Sequence, residues 1–129
     1  MTDLIRTLGL SASGMTAQAQ RLRHLSENIA NADTPGYRRK TVSFDTVQRG
    51  EAAGQVEVGK VRLDRSDLTR IHDPGNPLAD AQGNYEGSNV DLVIEIADAR
   101  EAQRSYEANL KMFDQARQMT QSLLDLLRR

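Results

Sequence analysis

Apolar residues recur at every seventh position along the first quarter of the chain. The series consists of Leu8, Met15, Leu22 and Ile29, with Leu25 three positions after one of its members. A seven-residue repeat with a second series three or four positions away lines one face of an α-helix, as the a and d positions of a coiled coil do. The pattern predicts an amphipathic helix over residues 4–32, about 43 Å long.

A second helical pattern extends from residue 89 to the end of the sequence. Its apolar positions are Leu92, Ile96, Tyr106, Leu110, Phe113, Leu123 and Leu127, with a further row of Met112, Met119 and Leu126. A face this broad can contact more than one neighbouring helix. Asn109 interrupts the apolar pattern, and it either faces solvent or fixes the register of a helical assembly. We predict Asn89 as the helix cap, with Asp91 in the first turn.

The helical periodicity ends at a four-residue sequence, Thr34, Pro35, Gly36 and Tyr37. Proline cannot donate an amide hydrogen bond, and it excludes the preceding residue from the helical conformation. Pro followed by Gly at the second and third positions is typical of a type II turn. Three cations follow the turn, Arg38, Arg39 and Lys40. We expect these cations to contact a protein neighbour or to be solvated.

The residues between the two helical patterns have a different character. Alternating apolar residues within 42–63 predict a small β-hairpin, and the Pro-, Gly- and Asn-rich residues 72–89 are predicted to be loop. We therefore predict a mainly α protein, in which long N- and C-terminal helices form a coiled-coil-like pair around a short β-rich and irregular insert. The predicted parts are residues 1–40, 41–88 and 89–129.

The composition permits only a thin apolar core. Hydrophobic residues make up 38% of the 129 residues and aromatic residues 4%, Trp is absent, and the mean hydropathy is −0.60. These values are low for a protein with a self-sufficient core. One helical hairpin cannot bury both apolar faces, so we expect the faces to pack between molecules. We also expect the terminal helices to become ordered mainly on assembly.

Other features argue against several classes of function. A net charge of −1 argues against nucleic-acid binding, which needs an excess of Lys and Arg. The absence of Cys excludes a disulfide framework, a thiolate metal site and a cysteine nucleophile. The sequence contains no apolar run of membrane-spanning length and no apolar block of signal-peptide type. His24 and His72 have no second His at metal-ligand spacing, so we expect surface or capping roles for them.

Three carboxylates near the start of the second helix are a candidate metal site. Asp91, Glu95 and Asp98 are spaced so that they share one helix face, as such a site would require. The simpler interpretation is a solvated acidic first turn that pairs with Arg100 and Arg104. We therefore predict no catalytic residues, no cofactor and no metal.

Three stretches of the sequence carry recognisable motifs. The first is LSASGMTAQAQRLRHLSENIANADTPGYRRK, in which Ala30, Asn31, Thr34, Pro35, Gly36 and Tyr37 form the signature Ala-Asn-x-x-Thr-Pro-Gly-Tyr. The others are DPGNPLAD at residues 73–80 and SNVDLVIEIADAREAQRSYEANL at residues 88–110. The first stretch resembles the opening helix of flagellar rod and hook proteins, the axial proteins of the flagellum. The other two are similar to the proximal rod members of that family.

The resemblance implies a non-enzymatic subunit of the proximal rod that polymerises through its terminal helices into a tube and transmits torque from the basal body to the hook. Implied partners are copies of itself, other proteins of the proximal and distal rod, and the hook–basal body adaptor. Export to the periplasmic rod through the type III apparatus, without a cleavable signal peptide, is also implied. The expected subunit contacts are Leu8, Met15, Leu22, Leu25, Ile29, Asn31, Pro35, Gly36, Tyr37, Leu92, Ile96, Tyr106, Asn109, Leu110, Phe113, Leu123 and Leu127.

Two alternatives remain open from the sequence alone. The turn signature is shared by the axial proteins as a class, so another rod-type axial protein is the first alternative. The second is a cytoplasmic helical-hairpin adaptor that binds a partner protein as a soluble dimer. Two heptad patterns would serve that adaptor equally well, and it would need no export.

Overall fold

Two long helices pack side by side in the computed structural model, which describes residues 2–129. Helix α1 spans Thr2–Ala30, with 29 residues, and helix α2 spans Leu92–Leu127, with 36 residues. Short strands lie between them in the sequence. The predicted fold class, a mainly α protein with two long terminal helices and a short β-rich insert, is confirmed. Helix α1 begins and ends two residues earlier than predicted.

Helix α1 ends close to the predicted turn. The amide of Tyr37 donates to the carbonyl oxygen of Thr34 at 3.2 Å, and Gly36 has a φ of 75°. Glycine adopts a positive φ at the third position of a turn without a steric penalty. The amide of Gly36 also donates to the carbonyl oxygen of Gly87 at 3.0 Å. The turn is therefore held against the residues that precede α2.

The N-cap of α2 is Asp91, and the prediction of Asn89 as the cap was wrong. Asp91 has an extended backbone, and its side chain accepts a hydrogen bond from the amide of Val93 at 3.1 Å. That bond satisfies one of the amides left without a partner at the helix start. Asn89 lies too far ahead of Leu92 to do so, and its side chain binds other segments instead.

The insert contains three two-stranded antiparallel sheets. Its strands are β1 (Lys40–Thr41), β2 (Phe44–Thr46), β3 (Val56–Val58), β4 (Arg62–Leu63), β5 (Arg70–His72) and β6 (Asn84–Glu86). Strands β2 and β3 form a hairpin with Phe44 opposite Val58, and β1 pairs with β4. The small hairpin predicted within residues 42–63 is therefore present.

Residues 72–89, predicted to be loop, contain part of a second hairpin, in which β5 pairs with β6. Oδ1 of Asp80 accepts hydrogen bonds from the amides of Gln82 and Asn84, both at 2.9 Å. Gly83, which lies between Gln82 and Asn84, has a φ of 80°. The Pro-, Gly- and Asn-rich residues therefore form the loop of a hairpin and do not exclude strands on either side, so the prediction of loop alone was wrong.

The two helices run antiparallel in a constant register. Asn28 of α1 contacts Glu95 of α2. Fourteen residues earlier in α1, Gly14 lies against Asn109, which is fourteen residues later in α2. Continued to its start, α1 begins opposite a point about six residues before the end of α2. Residues 122–127 therefore extend past α1, and all of them are exposed.

The apolar core of the molecule is thin. Within residues 2–129, the buried hydrophobic side chains are Ala17, Leu25, Ala102 and Ala116. Alanine allows close approach of two helices but buries little apolar area. The largest fully buried side chains are polar, namely those of Glu95 and Asn28. No helix in the described part of the chain is long and apolar enough to cross a membrane.

Gly14 allows the helices to approach each other along the pair. A Cβ atom at this position would lie 2.7 Å from Oδ1 of Asn109. The side-chain amide of Asn109 donates to the carbonyl oxygen of Ser105 at 2.9 Å, which fixes it in place. A glycine inside a helix costs about 1 kcal/mol relative to alanine. Here the close contact with Asn109 requires it, and Asn109 faces α1 of its own chain.

We expect Gly14→Ala to lower the free energy of unfolding by about 1 kcal/mol, because the overlap with Asn109 outweighs the gain in helix propensity. The double variant Gly14→Ala/Asn109→Ala should recover most of the loss. Gly9→Ala is the matched control, since its Cβ would meet only the end of the long Gln55 side chain, at 2.9 Å from Nε2, and that side chain can adopt another rotamer. Denaturant unfolding measures the difference, and equal stability of the Gly14→Ala and Gly9→Ala proteins would contradict the close approach.

Candidate assembly surface

Polar side chains form one hydrogen-bonded cluster where α1 ends and α2 begins. We call it the polar junction, and it comprises Asn28, Tyr37, Arg39, Lys40, Asp64, Asn89 and Glu95. Its members come from both helices, from the turn after α1 and from the insert. The polar junction therefore joins every part of the chain at one end of the helix pair.

Asn28 lies at the centre of the polar junction and is fully buried. Its Nδ2 donates to the carbonyl oxygen of Lys40 at 2.9 Å and to Oε2 of Glu95 at 3.3 Å. Its Oδ1 accepts from the hydroxyl of Tyr37 and from the amide of Lys40, both at 2.8 Å. The side-chain amide thus uses both donors and both acceptor positions. The side chain of Asn28 therefore connects α1 to the turn, to β1 and to α2 at the same time.

Glu95 carries the buried charge of the polar junction. Its side chain is 0% exposed, and Oε1 accepts a hydrogen bond from Nε of Arg39 at 2.6 Å. Nη1 of Arg39 lies 3.3 Å from Oδ2 of Asp64 in the insert. A buried carboxylate requires such a partner, because the desolvation of an unpaired charge is costly. The prediction of a solvated Glu95 paired with Arg100 and Arg104 was wrong.

The three cations after the turn all bind within the chain. Nη1 of Arg38 donates to the carbonyl oxygen of Ser66 at 2.9 Å, and Nζ of Lys40 donates to Oε2 of Glu27 at 2.8 Å. Together with the pair between Arg39 and the buried carboxylate, these bonds fasten the insert to both helices. The expectation that the cations contact a neighbour or only solvent was wrong.

Hydrogen bonds and burial shift the pKa values of several groups in the polar junction and of Glu27 beside it. The hydrogen bond from Lys40 lowers the pKa of Glu27 below its ordinary value of 4.5, and the same bond raises the pKa of Lys40. Burial alone would lower the pKa of Arg39, but the hydrogen bonds and charges of Glu95 and Asp64 together outweigh it and raise that pKa. Burial raises the pKa of Tyr37, which keeps the phenol protonated as a donor to Asn28.

The residues just before α2 hold the turn and the insert together. Oδ1 of Asn89 accepts a hydrogen bond from the amide of Arg39 at 2.7 Å, and its Nδ2 donates to the carbonyl oxygen of Asp64 at 3.0 Å. The hydroxyl of Ser88 donates to the carbonyl oxygen of Ala32. The segment predicted to cap the helix therefore fixes the end of α1 beside the start of α2.

The carboxylates considered for a metal site have separate roles. Asp91 caps α2, Glu95 binds Arg39, and Asp98 lies 3.9 Å from Arg21. Within residues 2–129, no three His, Asp or Glu side chains are grouped closely enough to hold a metal ion. His24 is buried, and its Nδ1 lies 3.7 Å from Oε2 of Glu27. The expectation of a surface role for His24 was therefore wrong.

The predicted contact residues lie in three environments. Leu25 is buried inside the molecule. Those that are half-buried are Leu8, Met15, Leu22, Ile29, Asn31, Tyr37, Tyr106, Asn109 and Phe113. Those that are exposed are Pro35, Gly36, Leu92, Ile96, Leu110, Leu123 and Leu127. Met15, Tyr106 and Phe113 line one groove between the helices. The exposed residues lie at the two ends of the pair, except Leu110, which lies in the middle of α2.

A row of large apolar side chains on α2 is left uncovered. Met112, Met119 and Leu126 are 55%, 52% and 63% exposed. Their spacing of seven residues places them along one side of the helix. Met119 and Leu126 also line a shallow groove with Leu123. We call these three residues the α2 row, and nothing in the described part of the chain covers it.

Sequence reasoning missed the side chains at the centre of the polar junction. Asn28, Arg39 and Glu95 were not among the predicted contact residues. One signal was present, because Glu95 precedes Ala102 by seven residues and Ala116 by twenty-one. A carboxylate in the same heptad position as buried alanines indicates a buried, paired charge.

Two family models match the chain at segments that contribute residues to the polar junction. The model described as flagella basal body rod protein matches residues 8–38, which include most of α1 and the turn. The model described as flagellar basal body rod FlgEFG protein C-terminal matches residues 81–126, which include β6 and nearly all of α2. Asn28 and Tyr37 lie in the first match, and Glu95 lies in the second.

Relatives that match nearly the whole chain share one description, flagellar basal-body rod protein FlgC. The chain is 46% identical to the flagellar basal-body rod protein FlgC of Agrobacterium fabrum, over 99% of this chain and 98% of that protein. It is 36% identical to FlgC of Escherichia coli O157:H7, over 95% of this chain and 97% of that protein. It is 33% identical to FlgC of Bacillus subtilis, over 93% and 95% respectively.

We expect Glu95→Ala to lower the free energy of unfolding by about 3 kcal/mol, because Arg39 and Asn28 would lose their buried partner. Glu101→Gln is the matched control on the same helix, since Glu101 is exposed and lies 3.7 Å from Arg21. Removal of the Glu101 charge should change the free energy of unfolding by less than about 0.5 kcal/mol. Thermal or denaturant unfolding of the two variants distinguishes them, and a Glu95→Ala protein as stable as the control would refute the role of the polar junction.

Proposed function

The chain belongs to the FlgC family of flagellar basal-body rod proteins, and we propose that it polymerises into the rod through the uncovered apolar surfaces of its two terminal helices. It is a structural subunit of the flagellar basal-body rod and not an enzyme. Family membership decides against the cytoplasmic adaptor that the sequence pattern alone had left open.

The exposed α2 row is the observation that supports this mode of assembly best. Its three side chains are each more than half exposed, although they repeat with the period of a helical seam. Covering one large apolar side chain contributes about 1.5–3 kcal/mol. A contact of that size, repeated between successive subunits, would stabilise an assembly. In a single chain the row has no partner among the described residues and contributes no such stabilisation.

The neighbours in this proposal are other rod subunits. Copies of this chain and other proteins of the proximal and distal rod would present helices of the same kind, and the hook–basal body adaptor would lie beyond them. A contact between different surfaces of successive subunits does not close on itself, and it generates a helical assembly. The half-buried groove at Met15, Tyr106 and Phe113 offers a second surface for a neighbouring helix.

The polar junction suits a subunit that transmits torque. A rod under torsion requires that the insert does not rotate relative to the helices. Arg39 and Asn89 bind the insert at Asp64, and Arg39 also binds Glu95 of α2. In our proposal, these bonds transmit a sideways load on the insert to both helices.

The proposed location is the rod within the periplasm, reached in an unfolded state through the type III export apparatus. Two properties support this route. The chain contains no Cys that could form disulfides on the way. Its thin apolar core and polar centre also leave little apolar burial to overcome when the chain is unfolded.

We expect Met119→Lys to prevent assembly, because the contact would lose about 1.5–3 kcal/mol of apolar burial and would bury a charge. Gln121→Lys is the matched control, which adds the same charge two residues away on another face of the exposed helix end. Swimming and the amount of the chain in purified basal bodies are the measurements. Exposed sites are chosen because a charge at the half-buried Phe113 would also disturb folding.

Normal swimming with Met119→Lys, or equal loss with both variants, would contradict the proposed surface. Circular dichroism and thermal unfolding of the purified variants serve as the folding control. Both variants should unfold like the unmodified chain, since positions 119 and 121 are exposed.

A further inference from the structure

The two ends of the helix pair carry complementary surfaces, and we infer that the end of α2 in one copy docks beside the start of α2 in a second copy, head to tail. The inference rests on the proposed assembly function and specifies one of its contacts. It concerns two surfaces. The overhang is residues 122–127 of α2, and the junction groove is the cleft lined by Ala32, Asp33, Ser66, Asp67, Asp91 and Leu92, among others.

The overhang continues the face of α2 that packs against α1. Leu123 follows the buried Ala116 by seven residues, and Leu127 follows Thr120 by seven residues. Because α1 begins short of this point, these leucines have no helix to cover them, and Leu127 is 74% exposed. The overhang is thus a helix end whose natural partner is another apolar surface.

The junction groove lies at the opposite end of the molecule and is bordered by exposed apolar residues. Val93 is 77% exposed, and Leu92 and Ile94 beside it are also exposed. Asp33, Asp67 and Asp91 line the groove, and no Lys or Arg does so within residues 2–129. Asp91 is partly engaged as the helix cap, whereas Asp33 and Asp67 form no salt bridge with the described residues.

The overhang contains one carboxylate, Asp125, and two arginines follow it, so this end has a net positive charge, whereas the charged residues that line the junction groove are all aspartates. Arg128 and Arg129 directly follow the overhang, are exposed, and form no salt bridge within the described part of the chain. A head-to-tail contact would place them near Asp33 and Asp67 of the next copy. An overhang against an overhang would bring arginines together, and a groove against a groove would bring aspartates together. Like charges in contact oppose such pairings and select the head-to-tail arrangement.

The overhang and the junction groove cannot meet within one chain. The 36 residues of α2 span about 54 Å and separate them. A contact between different surfaces on two copies also leaves a free overhang and a free groove at the ends. The same contact can therefore be repeated along an assembly.

Disulfide cross-linking between two single-cysteine variants tests the contact, because the chain has no Cys of its own. Purified full-length Leu127→Cys and Leu92→Cys proteins are mixed and oxidised, and the joined peptides are identified by mass spectrometry. We expect a dimer that joins position 127 of one copy to position 92 of the other. Gln121→Cys replaces Leu127→Cys in the control, since Gln121 lies on another face of α2, and its yield should stay at background.

Charge reversal provides the second arm. Adding Arg128→Glu and Arg129→Glu to the Leu127→Cys protein should reduce the cross-link yield by about fivefold, the effect of two exposed ion pairs. Adding Asp33→Lys and Asp67→Lys to the Leu92→Cys protein should then restore it. Asp91 is left unchanged because it caps α2.

Absence of the cross-link between positions 127 and 92, same-site dimers in its place, or equal yield with Gln121→Cys would overturn the inference. A yield that does not respond to charge reversal would overturn the role of the arginines and aspartates. Met119 of the α2 row lies outside the overhang. Loss of the cross-link while Met119→Lys still prevents assembly would therefore refute the head-to-tail contact and leave the proposed function standing.

Discussion

The hydrogen bonds between Asn28, Glu95 and Arg39 are the interaction on which the rest of the structure depends. They lie where α1 ends and α2 begins, and they replace the apolar core that this composition cannot supply. A buried ion pair contributes little net stability compared with apolar packing, but removal of one partner is costly. The arrangement therefore specifies one register for the helix pair, and it fastens the insert to that pair.

Stabilisation by polar bonds at one end leaves the apolar residues of the helices free for other contacts. The overhang remains exposed because α1 is shorter than α2, and the α2 row remains exposed because α1 does not cover that side of α2. In a subunit built in this way, polar bonds set the register of the helix pair, and several of its large apolar side chains remain available for contacts with neighbours. This division of roles fits a chain that must become part of a rod.

The sequence was sufficient to predict the two helices, the turn at Pro35 and Gly36, and the family, because each depends on local periodicity or on a short motif. It was not sufficient for Glu95, whose burial depends on Arg39, a residue 56 positions away. The cap at Asp91 and the β5–β6 hairpin were also missed. Asn89 was equally suitable as a cap by residue type, and the short strands of that hairpin carry little apolar alternation.

The central claim is that polar bonds stabilise one end of the helix pair and that contacts in the assembly stabilise the other end. Amide hydrogen exchange of the isolated chain and of the assembled rod tests this claim most directly. In the isolated chain, our account predicts that the amides around Asn28 and Glu95 are the best protected and that protection declines toward the free end of α2. In the rod, protection should extend to residues 112–127. Uniform protection of both helices in the isolated chain, with no gain on assembly, would contradict the account.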